Sequence, residues 1–142
     1  MKKKGSVLIE VLASVMILAL TTTFIISASI QNTDVLRQRI LLEDVNRDIY
    51  NLTNEFKYNI SRKEIEELLI NKKVSFKYNR DFSKILLNTN IKYLEQGEDI
   101  KISKIGEDSI GLELKIQVDI KIDKSEVNVE KEFTKSWWMD EV

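Results

Sequence analysis

Hydrophobic positions follow three regimes along the chain. From Val7 to Ile30 the residues are nearly all apolar, and Glu10 is the only ionisable side chain among them. About twenty apolar residues cross the hydrocarbon core of a bilayer as a helix, and Val11 to Ile30 supplies that length. Beyond Ile30 neither Gly nor Pro occurs until Gly97, so nothing breaks the helix where the pattern changes. In the second regime Leu42, Val45, Ile49, Leu52 and Phe56 recur at intervals of three and four. Arg37, Glu43, Asp44, Arg47, Asp48 and Glu55 occupy the remaining faces. This spacing predicts one helix from about Ser6 to about Tyr58, on the order of 80 Å long at about 1.5 Å per residue. Its outer half carries a single apolar seam of about two heptads, which suits packing against its own domain better than a coiled coil.

The third regime is strand-like. Ile110, Leu112, Leu114, Ile116, Val118, Ile120 and Ile122 take every second position, with Gly111, Glu113, Lys115, Gln117, Asp119 and Lys121 between them. Strict alternation predicts a strand with one buried and one solvated face, as in an antiparallel sheet covered on one side. Turn residues at Gly106-Glu107-Asp108 and Asp123-Lys124-Ser125 connect it to strands at Ile100 to Ile105 and Val127 to Lys135, giving a meander. Upstream, Ser61-Arg62-Lys63-Glu64 has the form of a capping box. With Ile65, Leu68 and Leu69 it predicts a short helix ending near Ile70. Val74, Phe76 and Tyr78 alternate with polar residues, Asn79-Arg80-Asp81 reads as a turn, and Phe82 to Leu87 is expected to return as a strand. The apolar face of the sheet needs a cover, and the seam of the long helix is the only long one on offer. The expected fold class is therefore α+β, a long amino-terminal helix packed on an antiparallel β-meander.

Composition narrows the chemistry. The chain has 142 residues, enough for one modest domain with appendages. It contains no Cys and no His, which removes disulfides, thiolate sites, the commonest general base and the commonest metal ligand. No cofactor, metal or catalytic residue is expected. An enzyme would need convergent acids with a nucleophile or metal, whereas the acids here alternate along exposed strand faces. The net charge is −1 and the lysines are scattered among acids, so no basic stripe for nucleic acid is present.

The amino terminus carries the sharpest signal. Lys2, Lys3 and Lys4 precede the apolar run, and the first cation after it is Arg37, so the positive-inside rule places the amino terminus in the cytoplasm and the carboxy-terminal bulk outside. A cleaved secretory signal is an alternative, with Ser27-Ala28-Ser29 as a small-residue site, but the run exceeds the roughly 7 to 15 residues of such segments. Neither that reading nor a plain anchor accounts for Glu10. An unpaired charge at mid-membrane costs about 2.5 to 3.5 kcal/mol, and less near the interface. An acid kept there points to function, against the alternative of a tolerated charge at headgroup level.

The run Lys2-Lys3-Lys4-Gly5-Ser6-Val7-Leu8-Ile9-Glu10-Val11-Leu12 resembles the leader and first mature residues of type IV prepilins. In that family a basic leader ends in Gly, and the mature chain begins directly after it with Glu at its fifth residue and a long apolar helix. Those positions are Gly5, Ser6 and Glu10 here. The resemblance implies a leader at 1–5, a transmembrane and assembly helix at 6–30, and a globular domain at 31–142 that includes the amphipathic half of the helix. It also implies a lollipop with about four antiparallel strands, cleavage between Gly5 and Ser6 by a prepilin peptidase, and methylation of the new amine at Ser6. Glu10 would pair with the amino-terminal amine of a neighbouring subunit. The implied partners are other pilins or pseudopilins, the peptidase, an assembly platform protein with its ATPase, and the membrane. The implied location is the cytoplasmic membrane first and a cell-surface pilus or pseudopilus afterwards. Removing Lys2, Lys3 and Lys4 leaves 19 basic residues against 23 acidic, a formal charge of −4.

Three departures from the major pilins, Ser6 in place of Phe, no Pro in the apolar helix and no Cys pair, favour a minor pilin or pseudopilin, nearest the V/I-type minor pilins. Glu10 argues against the tip-capping pseudopilins, which typically lack that acid. The rival class is a membrane-anchored interaction or sensor domain that never polymerises, which needs neither Gly5 nor Glu10. Trp137 and Trp138 are expected to be structural, one ring in the core and one over a sheet edge, rather than a docking patch.

Overall fold

The computed structural model describes residues 2–70, 73–122 and 125–140. Two compact units are formed, Met1–Arg37 and Gln38–Val142. The first helix, α1, spans Lys2–Asn54 and continues into a π-helical turn at Glu55–Asn59. It begins four residues earlier than the apolar pattern implies and ends in a wider turn than the uninterrupted helix expected up to Tyr58.

In the first unit the helix is bare. Leu8 is 73% exposed and Phe24 76%, and no residue of the described span from Val7 to Ile30 is buried. Several of its hydroxyls are satisfied within the helix. Ser14 Oγ donates to the Glu10 carbonyl at 2.8 Å, Thr22 to Leu18 at 2.8 Å and Thr23 to Ala19 at 2.8 Å. Such bonds let a helix carry Ser and Thr through apolar surroundings without an orphan donor.

The second unit holds the core. After α1 come α2 at Arg62–Leu68, β1 at Lys73–Phe76, α3 at Phe82–Asn88 and a 3-10 turn at Ile91–Tyr93. The chain continues through β2 at Ile100–Glu107, β3 at Gly111–Ile122 and β4 at Ser125–Ser136, and closes with a 3-10 turn at Trp137–Asp140. The strands form one antiparallel sheet in the order β1-β2-β3-β4. The alternation of β3 is realised as a two-faced strand: Leu112, Leu114, Ile116, Val118 and Ile120 are at most 2% exposed, while Gln117, Asp119 and Lys121 face solvent. Val45, Ile49 and Leu52 of α1 and Phe56 of the π-helical turn cover that face, and the Phe56 ring meets Phe133 of β4 edge-on at 6.4 Å. Each such side chain contributes about 1.5 to 3 kcal/mol of burial. The α+β class and the helix-on-sheet arrangement therefore hold within this unit.

Several details differ from the expectation. Phe82 to Leu87 is helical, because Phe82, Ile85 and Leu86 share one face at helical spacing and bury against the core. Asn79 Oδ1 accepts the Asp81 amide at 3.1 Å and starts the turn that leads into it. The partner of β1 is accordingly β2, with Val74 opposite Ile102 and Phe76 opposite Ile100. Leu42 is 40% exposed and its neighbour Leu41 packs on the core instead, since the seam of α1 drifts round the helix with its 3.6-residue period. Strand β2 runs through Gly106 and Glu107, which moves the turn to residues 108–110. Ile105 forms a bulge between Lys104 and Gly106 that reverses the face of the residues after it. Ile110 precedes the strand and is 51% exposed. Asp123 and Lys124, in the expected β3–β4 turn, lie outside the described residues. The α2 capping box forms as read, with Ser61 Oγ accepting the Glu64 amide at 3.4 Å and Glu64 Oε2 accepting the Ser61 amide at 3.2 Å.

Neither tryptophan enters the core. Trp137 lies under the Arg62 guanidinium, 3.7 Å from its ring centre, and donates to the Ser109 carbonyl at 3.0 Å, while Trp138 is 59% exposed. Gly111 sits opposite Ser136 where the β4 backbone comes closest. A Cβ there would lie 2.1 Å from the Lys135 carbonyl oxygen, so the position excludes any side chain.

Candidate functional site

The residues singled out by sequence all fall on α1. Gly5 and Ser6 lie in its helical backbone, and Met1 is outside the described residues. Glu10 is exposed on the helix surface, and no hydrogen bond or ion pair joins its carboxylate to any side chain from Val7 onward among the described residues. It stands at the head of a shallow groove lined by Val7, Glu10, Val11, Ser14, Val15 and Leu18. Two rows spaced by four residues bound this groove, Val7-Val11-Val15 and Glu10-Ser14-Leu18, which are the ridges that any α-helix presents to a partner helix. The helix described from Val7 to Asn59 contains a window of mean hydropathy 2.2, none of it buried within the chain, and is long and apolar enough to cross a membrane.

Comparison with family models, with curated proteins and with solved structures gives no match for this chain. The layout shared with pilins, a long apolar amino-terminal helix and a helix-covered antiparallel sheet, therefore rests on the coordinates themselves.

The second unit contains two buried polar features that the sequence reading did not anticipate. Asp48, assigned by its spacing to the polar side of the helix, is only 3% exposed. Its carboxylate accepts the Tyr78 hydroxyl at 2.9 Å and the Ser83 hydroxyl, and Ser83 Oγ in turn accepts from Asn51 Nδ2 at 3.0 Å. Burial, reinforced by the Asp48 carboxylate, raises the Tyr78 phenol well above its ordinary value. The four side chains clip α3 and the segment that follows β1 to α1. Position 48 follows Val45 by three and adjoins Ile49, which places it at the margin of the seam, and that spacing was the available signal.

The other feature is Lys135, 2% exposed on the core-facing side of β4. Its ammonium donates to the Lys57 carbonyl at 2.7 Å and the Ile60 carbonyl at 2.8 Å. The wide turn that ends the long helix leaves carbonyls without intrahelical partners, and a lysine from the sheet satisfies them. Every buried side-chain nitrogen and oxygen among the described residues has a partner. No group of three or more acids able to hold a metal occurs among the described residues. Both buried features are thus closed polar networks within the fold, whereas Glu10 is an exposed acid.

Proposed function

We propose that this chain is the precursor of a type IV pilin-like filament subunit, a minor pilin or pseudopilin without catalytic activity. In this reading a prepilin peptidase cuts between Gly5 and Ser6 and methylates the Ser6 amine. The mature subunit waits in the cytoplasmic membrane with its carboxy-terminal domain outside. An ATPase-driven platform then draws it into a pilus or pseudopilus among other pilins. Direct contact with nucleic acid has no part in it.

Glu10 carries the proposal. It is the single charge between Val7 and Ile30, it is exposed on a helix suited to a bilayer, and no hydrogen bond or ion pair joins it to any side chain from Val7 onward among the described residues. A partner from another chain fits this placement, and the amine freed at Ser6 of a neighbouring subunit has the right sign. Two unit charges about 4 Å apart gain about 1 kcal/mol in water and several times more at low effective dielectric, so burial between apolar helices strengthens the pair. The layout of the second unit, a four-stranded antiparallel sheet covered by the outer half of α1, supports the same reading independently of the leader.

Substituting Glu10→Leu in the full chain separates this from a non-polymerising anchor. Synthesis, membrane insertion and cleavage after Gly5 should continue, while recovery in sheared filaments or cross-linked subunit complexes falls steeply. Normal incorporation of the variant would remove the assembly role of Glu10.

A further inference from the structure

We infer that the outer edge of β4 is a docking edge that takes an extended, cationic segment of a partner protein as an added strand. The inference stands apart from the filament reading, since it needs neither Glu10 nor the leader. The two edges of the sheet differ. At the β1 edge the segment Glu95 to Gly97 closes the strand: the Lys77 amide donates to the Glu95 carbonyl at 2.9 Å, the Gly97 amide donates to the Ser75 carbonyl at 3.4 Å, and Phe76 bridges Gln96. At the other side β4 ends the strand order, and no described strand lies beyond its 12 residues. The register fixes which of its backbone groups are open. The Asp119 amide donates to the Asp99 carbonyl at 2.8 Å, on the β2 side, so the even-numbered residues of β3 turn their amides and carbonyls to β4. Trp137 continues the β4 register and donates to the Ile110 carbonyl at 3.2 Å, which assigns the odd-numbered residues of β4 to that ladder. The backbone groups of Glu126, Asn128, Glu130, Glu132 and Thr134 therefore point outward, and such a row is a template for another extended chain.

Side chains beside this edge select the occupant. On its solvent face β4 presents Glu126, Glu130 and Glu132 and no cation. From β3, Lys121 meets Glu126 at 3.0 Å, and Lys115 meets Glu130 at 2.7 Å and Glu132 at 3.8 Å, so three carboxylates share two ammonium groups and the outer flank of the row stays acidic. On the covered face Val129 is half-buried, and Tyr50 of α1 is 58% exposed with the Lys131 ammonium 5.0 Å from its ring centre. An added strand thus meets acid on one face and an apolar and aromatic floor on the other. Lys or Arg on the solvent side, alternating with β-branched or aromatic residues on the other, matches both. A second copy of the chain does not. Its β4 also opens only even-numbered positions, so glutamates would lie against glutamates, Asn128 or Thr134, and like charges directly opposite destabilise a strand pair. Charge complementarity therefore selects a cationic segment of another protein.

The probe is a synthetic peptide that alternates Lys and Val. A peptide of the same composition with the lysines and valines in separate blocks, and one that alternates Glu and Val, serve as controls. Each is added to the full-length chain in detergent micelles, and amide exchange is followed residue by residue by NMR. The alternating Lys peptide should slow exchange at Asn128, Glu130 and Glu132 by at least about tenfold, because each amide gains a backbone partner. Val127, Val129 and Lys131, already bonded to β3, should change by less than about twofold, and neither control should move any of the six by more than that. Glu130→Lys combined with Glu132→Lys should weaken binding of the alternating Lys peptide by at least about tenfold. Equal slowing with the block peptide, slowing with the Glu peptide, no slowing at all, or unchanged binding in the doubly substituted chain would overturn the inference. Protection of the same three amides that appears without peptide and rises with protein concentration would assign the edge to a second copy and overturn it equally.

Discussion

Between Val7 and Ile30 large apolar side chains stand more than half exposed, whereas Val45, Leu52, Phe56, Leu112, Leu114 and Ile116 in the second unit are fully buried. The two regions share one continuous helix, α1, and draw on similar residues. What separates them is the position of charge. In the outer half of α1 every turn alternates an apolar seam with charged faces, so one side can bury against the sheet while the other stays wet. In the inner half there is no wet side, and none of the described residues covers it. The first region depends on its surroundings for burial, and the second supplies its own.

The largest expected effect is on the self-covered region. A fragment of residues 33–142 should give a mixed helix and strand spectrum by circular dichroism and a single cooperative melting transition. Phe56→Ala in that fragment should cost about 3 to 5 kcal/mol, because it empties a site packed between helix and sheet. In the full chain in detergent, Leu18→Ala should leave the melting of the second unit unchanged. Aggregation of the fragment, or equal destabilisation by both substitutions, would break the contrast between the regions.

Gly111→Ala comes next. Its new Cβ would meet the Lys135 carbonyl oxygen at 2.1 Å, and relieving that clash must shift β3 against β4 beside the buried Lys135 ammonium. A loss of about 2 to 4 kcal/mol is expected, of the order of other backbone strain combined with overpacking, measurable by urea denaturation. Lys115→Ala, on the wet face of the same sheet, should leave the urea midpoint nearly unchanged even though it ends the ion pair with Glu130.

The smallest effect is on pH dependence. The capping hydrogen bond to Ser61, with Lys92 nearby, holds Glu64 below its ordinary value. Lys104, with Arg62, does the same for Glu107, and Lys115, with Gln117, for Glu130. A carboxylate whose folded value is depressed binds fewer protons when folded than when unfolded. Its contribution is complete above the unfolded value of 4.5 and is lost as pH falls through the folded value. All three groups are exposed, so only a shallow decline in the melting temperature of the fragment is expected below that pH. A decline that starts near neutral pH would contradict the assignment.

The sequence made the alternation of β3, the seam of α1 and the capping box at Ser61 legible, because each is a local pattern with one physical reading. Phe82 to Leu87 was misread because a seven-residue helix shows barely two turns of its period, and a short apolar run fits either strand or helix. Asp48 and Lys135 were hidden for another reason. Their burial depends on Tyr78, Ser83 and the carbonyls of Lys57 and Ile60, which lie 30 or more residues away in the chain. Of the candidate site, the residue types and order of Gly5, Ser6 and Glu10 were readable from sequence, and the shallow groove below Glu10 became visible only on the folded helix.

Processing of the amino terminus tests the central claim most directly. Mass spectrometry of the full-length protein recovered from the membrane of its native host should find a chain that begins at Ser6 with a methylated amine. A chain that retains Lys2 to Lys4 ahead of Gly5, or one that begins near Ile30, would contradict the pilin reading.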